Sequence, residues 1–338
     1  MDVKSAWRRR RAIFQMGAGV ARSAKTVDRL FLPIVAGTAL FTMLAAVFHK
    51  QVLEFLNPPK PGEEQQGPRA DVTAILVNKV PDMDPDSPIW DNVPLSRISL
   101  ADQSITKPLK LAVPEEPVKV RAAHDGEVIG FLLEWSDKRA DTQAIKVTEF
   151  RDACAVMVTS YPAPPEARFM GTQTMPATIL HWKADWQVDI EEGFQDLEKA
   201  FPNISVDMYP LLKESITGGK PPKTIDLPDF ARIRLAGTWV GNPISQPKKD
   251  TPVEKIIAKG PATIATLPTQ DAVGWGRWRN GVWRVVLAKK MKASDQSAGE
   301  ADIERGKTYS VAFTVWFGDE GDRGARKNPS MLHTLYIE

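Results

Sequence analysis

From about residue 71 onward the apolar positions recur with period 2 rather than 3.6. Val118, Val120 and Ala122 alternate with their neighbours, Asp125-Gly126 supplies a turn, and Ile129, Phe131, Leu133 and Trp135 alternate back. This is the pattern of a β-hairpin with one buried face. It recurs near the C-terminus, where Trp275 and Trp278 precede Asn280-Gly281 and Trp283, Val285 and Leu287 follow. Further strands are predicted over 153–159, 177–183, 231–240, 308–317 and 331–337. Many short strands separated by turn residues predict an all-β domain over 71–338, an antiparallel β-sandwich with a few short helices. Helical spacing is confined to 190–201, IEEGFQDLEKAF, and the Pro-rich run 203–229 reads as a long excursion that could contact a partner.

A different pattern precedes the domain. Residues 30–48, LFLPIVAGTALFTMLAAVF, are free of charge over 19 positions. At about 1.5 Å per residue they match a bilayer's hydrocarbon core, so one transmembrane helix is predicted. Residues 1–29 carry eight basic and two acidic side chains, whereas the flank after the helix is mixed. The positive-inside rule therefore makes 1–29 a cytoplasmic tail and puts the C-terminal domain in the periplasm, on a bacterial inner membrane. A cleaved signal peptide is the competing reading, but the n-region is long and no small-x-small site precedes the linker, so a retained anchor is expected. Residues 49–70, with NPPKPGEEQQGPRA at 57–70, form that linker.

Composition narrows the function. With 43% apolar and 25% charged residues the chain is a folded protein. The net charge is +2, yet residues 30–338 hold 36 basic and 40 acidic side chains, a net charge of −4 that excludes a general nucleic-acid binder. A single cysteine, Cys154, excludes a disulfide framework, a Cys-ligated iron–sulfur cluster and a covalently attached haem. Inside a predicted strand it reads as a small buried hydrophobe. No GxSxG, HExxH or Walker A sequence occurs, and His49, His124, His181 and His333 are scattered. Most tryptophans fall on strand positions, where core packing explains them; stacking on a sugar would make the chain a membrane-tethered carbohydrate- or ligand-binding sandwich instead.

Two segments stand out together: Arg168-Phe169-Met170-Gly171 with its continuation through Asp185, and Trp316-Phe317-Gly318-Asp319-Glu320-Gly321-Asp322-Arg323-Gly324-Ala325-Arg326-Lys327. With AHDGEVIGFLLEWSD (123–137), DACAVMV (152–158) and WGRWRNGVWRVVLAKKM (275–291), they resemble one family in its order along 71–338. That family is the haem b-binding gamma subunit of type II dimethylsulfoxide reductase-group molybdoenzymes, as in ethylbenzene and dimethylsulfide dehydrogenases and selenate and chlorate reductases.

The resemblance implies a β-sandwich holding one non-covalent haem b between a methionine and a lysine, which match Met170 and Lys327 here. Arg323 and Arg326 would face haem propionates. It further implies an electron-transfer subunit, not an enzyme by itself, whose partners are iron–sulfur and molybdenum subunits and a c-type cytochrome or membrane redox protein. Familiar members are soluble, so the anchor is a departure. By residue type alone, Met170 reads as core filler, Lys327 as a solvated loop lysine and His181 as a core or pocket-edge histidine. Met175 is the rival thioether. A structural subunit that has lost its haem is the third reading.

Overall fold

The structure, a computed structural model, describes residues 70–195, 197–204, 242, 245, 246 and 248–338. The chain divides into two units, Met1–Gly67 and Pro68–Glu338, and the described residues belong to the second. The tail, the membrane helix expected at 30–48, the linker up to 69, the strand expected at 231–240 and most of the Pro-rich run lie outside the described residues. Among the described residues no helix is long and apolar enough to cross a membrane.

Among the described residues thirteen strands are formed: β1 (Val72–Leu76), β2 (Ser96–Ile98), β3 (Val118–His124), β4 (Val128–Ser136), β5 (Ala153–Ser160), β6 (Ala177–Lys183), β7 (Val253–Ala258), β8 (Ala265–Thr266), β9 (Val273–Arg279), β10 (Val282–Lys290), β11 (Thr308–Trp316), β12 (Asn328–Pro329) and β13 (His333–Ile337). They join in the order β8-β7-β6-β5-β11-β13-β1-β3-β4-β10-β9, with β12 on β11 and β2 on β3. The sheet folds over on itself. Trp182 of β6 meets Trp135 of β4 and Trp283 of β10, at ring-centroid distances of 6.5 and 5.0 Å.

Both predicted hairpins form, and their turns explain why. At the β9–β10 turn Asn280 and Gly281 have φ of 51° and 79°, the left-handed pair that a two-residue type I′ hairpin requires. At the β3–β4 turn the Asp125 carboxylate accepts from the backbone N–H groups of Glu127 and Val128. Two expectations need correction. The sheet is not wholly antiparallel, because β1 pairs parallel with both β13 and β3; no hairpin joins these strands, and only hairpin neighbours are forced to run antiparallel. The helix expected at 190–201 instead spans Ala184–Glu191, with a short turn at Leu197–Ala200. Gly193, at φ 83°, breaks the helical path between them.

Alternate residues of β4 (Ile129, Phe131, Leu133, Trp135), β5 (Cys154, Val156, Val158), β10 (Trp283, Val285, Leu287) and β11 (Val311, Phe313, Val315) fill the space between the layers. Trp182 is fully buried there, its Nε1–H donating to Gln187 at 3.1 Å. Gln187 in turn is held by the N–H and C=O of Gly276. A β-carbon on Gly276 would stand 2.4 Å from Trp182 Cζ2. Since Trp182 is wedged among other rings, Gly276→Ala is expected to lower stability by about 1–3 kcal/mol, the usual range for overpacking. Denaturant unfolding followed by tryptophan fluorescence checks this, and an unchanged midpoint refutes it.

Candidate functional site

Strand β5, ACAVMVTS, is buried at every position but its last. Its odd residues Ala153, Ala155 and Met157 point away from the sandwich interior. They join Ala177 and Ile179 of β6, Ile256 and Ala258 of β7, and Ala312 and Trp316 of β11 in a second apolar cluster on the outer face. Five of these nine side chains are alanine, so the face is low and flat. Met170 and Leu332 pack against it.

Met170 gets there by an unusual backbone. It follows a short 3-10 turn (Pro165–Arg168) and takes φ 71°, a left-handed conformation uncommon outside glycine. Gly171 follows at φ 76°, and a β-carbon there would come within 2.8 Å of the Ala177 backbone nitrogen. The Met170 carbonyl accepts from Gly260 N–H at 2.9 Å. Thus the loop is pressed onto the strand ends with the thioether side chain on the alanine face. Met175 plays a different part. Its backbone closes a turn with Thr172, and its side chain is not among those packed on the cluster.

Trp316 ends β11 at the other side of the face. His181 of β6 stacks on it, with centroids 4.7 Å apart and planes 26° apart. The Lys327 amine lies 5.0 Å from the same ring centroid. Hence Met170, which packs on the cluster, and His181 and Lys327, which both lie against Trp316, border one apolar face. The turn between Trp316 and Lys327 begins with Gly318 N–H donating to the buried Asp152 carboxylate at 2.8 Å, and that carboxylate also accepts from Trp283 Nε1 at 3.0 Å. Burial raises the Asp152 pKa to about 6. Burial, reinforced by the Asp152 charge, raises that of nearby Asp137 to about 7.

Lys327 is half-buried, its amine against Trp316, and differs from the buried lysines. Lys110 faces Asp322, Lys183 faces Glu254, Lys255 faces Asp271 and Glu300, and Lys289 faces Glu300. Among the described residues the Lys327 amine has no hydrogen-bond or ion-pair partner. Desolvation lowers its pKa to about 8. The His181 ring is likewise held well below the ordinary histidine pKa, first by desolvation and then by the charges of Lys183, Arg151 and Lys327, so it is neutral at pH 7.

The two arginines lie on the turn before Lys327. Arg323 is exposed over the Phe150 ring, at 4.7 Å, and donates to Gly321 O. Arg326 donates to the Leu109 and Glu320 carbonyls and lies 3.4 Å from Asp322. Both guanidiniums are thus engaged in the turn itself.

These residues fit a planar, apolar, metal-centred group. An alanine face admits a flat ring, a thioether is a soft neutral donor, and an amine without a partner is a donor in want of an acceptor. Among the described residues no three His, Cys, Asp or Glu side chains converge as metal ligands. The site is a sheet face, and two cavities lie away from it: one inside the sandwich by Phe131, Leu180 and Lys289, the other opening by Ser160 and Glu304. Sequence reasoning missed Trp316 as the hub and the alanines as a floor. The signal was there in DACAVMV, whose unbroken apolar run marks a strand covered on both faces.

Residues 87–196 match the family model described as ethylbenzene dehydrogenase, a span that includes Met170 and His181 but not Lys327. Over 259 residues the chain is 27% identical to a Haloferax mediterranei protein named "Putative respiratory nitrate reductase heme subunit ORF7", covering 77% of this chain and 69% of that one. Both matches support the resemblance to the haem gamma-subunit group. Among solved structures, a family 9 carbohydrate-binding module from Caldicellulosiruptor kristjanssonii aligns in its glucose complex at 10% identity and TM-score 0.36, over 79% of this chain and 95% of that one. Its cellotriose complex aligns at 10% identity and TM-score 0.37, over 79% and 93%. Overlap of that extent carries no argument about ligands.

An unpartnered buried amine costs stability, and the sign of its pH dependence is fixed. Below about pH 8 Lys327 is protonated whether the chain is folded or not, so the desolvation penalty is fully present. Between about 8 and its unfolded value near 10.5 the folded form sheds the proton first, so stability rises with pH. Lys327→Met is therefore expected to stabilise the haem-free protein by roughly 1–3 kcal/mol at pH 7, with the gain shrinking toward pH 10. Thermal unfolding against pH checks it, and a destabilised Lys327→Met protein at pH 7 would contradict the unpartnered amine.

Proposed function

We propose that this chain is the haem-carrying electron-transfer subunit of an oxidoreductase complex, binding haem b without a covalent bond between Met170 and Lys327. It moves electrons and is not the catalytic subunit. The observation that carries this reading is the Lys327 amine, half-buried over Trp316 beside an alanine-floored face, with no hydrogen-bond or ion-pair partner among the described residues, while Lys110, Lys183, Lys255 and Lys289 are paired. The resemblance across 71–338, the ethylbenzene dehydrogenase model match and the haem-subunit relative all support it.

Bound haem supplies a one-electron iron couple, and the chain's residues set its terms. The Met170 thioether is neutral and soft, favouring the reduced metal. Lys327 can donate a lone pair only when deprotonated, and a pKa of about 8 brings that state within reach at neutral pH. Neutral His181, stacked on Trp316, walls the face without adding charge. In the full reading, residues 30–48 anchor the chain in a bacterial inner membrane and place 71–338 in the periplasm. There it relays electrons between an iron–sulfur subunit, linked to a molybdenum subunit, and a c-type cytochrome or membrane redox protein.

Absorption spectroscopy of the full chain supplied with haem tests the reading: a low-spin, six-coordinate spectrum is expected, and its absence sinks the proposal. Met170→Ala should lower the reduction potential by about 0.1 V, a fraction of the ~0.8 V span that axial ligands cover. Met175→Ala and His181→Ala should leave ligation intact. If Met175→Ala or His181→Ala removes the low-spin bands while Met170→Ala and Lys327→Ala do not, the ligand assignment is wrong. Deletion of residues 1–56 should release the remainder from membranes, and a truncated chain that still sediments with them counts against an anchor at 30–48.

A further inference from the structure

The turn that presents Lys327 has little stiffness of its own, since it contains glycine at 318, 321 and 324. Its order comes from a side chain more than two hundred positions upstream. Lys110 is 1% exposed. Its amine donates to both carboxylate oxygens of Asp322, at 2.9 and 3.0 Å, pairs also with Glu320, and lies 5.6 Å from the Phe317 ring centroid. The Asp322 side chain is wholly buried, and it gathers the turn around it. It accepts from Phe317 N–H at 3.1 Å and faces Arg326 at 3.4 Å, while its own N–H donates to Phe317 O.

The strand-like segment carrying Lys110 holds the turn at further points. Lys110 and Gln103 exchange backbone hydrogen bonds of 2.9 and 2.7 Å. Gln103 donates to Ala325 O at 2.8 Å, Leu109 O accepts from Arg326, and Asn328 donates to Ala112 O at 2.8 Å. Lys110 is the ammonium of this contact, and Arg326 is a second, more distant cation at 3.4 Å from Asp322. Without Lys110, Asp322 becomes a buried carboxylate left with Arg326 alone, a cost that favours opening of the turn toward water.

We propose that Lys110 is the positioning residue for the haem-iron ligand Lys327: its ammonium pins Asp322 and thereby holds the Lys327 amine against the apolar face. This rests on the haem reading above. Opening of the turn would carry the Lys327 amine away from that face.

The test uses the full chain loaded with haem and has two readouts: the fraction of low-spin haem at pH 7, and amide hydrogen exchange over 317–328 compared with β4 and β10. Lys110→Met is expected to lower the low-spin fraction, as the turn loosens about tenfold. Exchange should quicken over 317–328 alone. Lys110→Met combined with Asp322→Asn, which removes the buried carboxylate but keeps an acceptor for Phe317 N–H, should recover most of both. The proposal is overturned if Lys110→Met shows the wild-type low-spin fraction or wild-type exchange in the turn. It is also overturned if β4 and β10 open together with the turn, since Lys110 would then merely support the fold. Absence of low-spin bands in the wild-type chain overturns the haem reading itself, and is told apart because it precedes any substitution.

Discussion

A two-layer sandwich has one interior, and strand β5 is apolar on both of its faces. Cys154, Val156 and Val158 fill that interior, which leaves Ala153, Ala155 and Met157 to be covered from outside. The rest of the site follows from meeting this demand. The Met170 loop is bent into a left-handed conformation to reach the face, and Trp316 and His181 stack over its edge. A water-facing sandwich strand would alternate apolar with polar residues and need none of this. Small side chains make the choice specific, because alanines bury little area for themselves but allow something flat to lie close.

Desolvation decides the chemistry of Lys327. Elsewhere in the protein a buried ammonium is balanced by a carboxylate, as in the cluster of Lys255 and Lys289 around Glu300, where charge is kept and satisfied. At Lys327 no carboxylate is offered, so the low-dielectric surroundings act on the proton instead and lower its pKa. Apart from a bound group the arrangement is a net loss of stability. Proteins retain such losses where function requires them.

Much of the sandwich was legible in period-2 patterning, because each hairpin has one buried face and a turn with a strong local signal, Asp125-Gly126 or Asn280-Gly281. What was not legible was non-local. Nothing in Val72–Leu76 announces that it lies parallel to two strands whose partners come from opposite ends of the domain. Helix placement near 190 failed because Ala184–Glu191 shows little amphipathic period, while Gly193 interrupts the stretch that does. Met170 and Lys327 came from resemblance, and by residue type alone each read as something ordinary. Their shared neighbour, Trp316, sits in a strand pattern like any core tryptophan. Lys110 could not be found from the sequence at all, since its role exists only through contact with Asp322, 212 positions away.

One physical quantity links the acid–base and the redox behaviour of this face. Taking charge out of water disfavours an ammonium at Lys327 and, by the same Born cost, disfavours the additional positive charge of an oxidised metal held between two neutral donors. His181, kept neutral by the same burial, does not offset that bias. With haem held as proposed, a face that makes the lysine available as a ligand would also shift the couple toward the reduced form. Any change that wets the turn, by loosening Asp322 from Lys110 or Gly318 from Asp152, would relax both effects together. On that reading the lysine's proton affinity and the iron's potential should move in a correlated way across variants of the turn, whereas a change at Met170 should alter the potential through ligand chemistry and leave the Lys327 proton where it was.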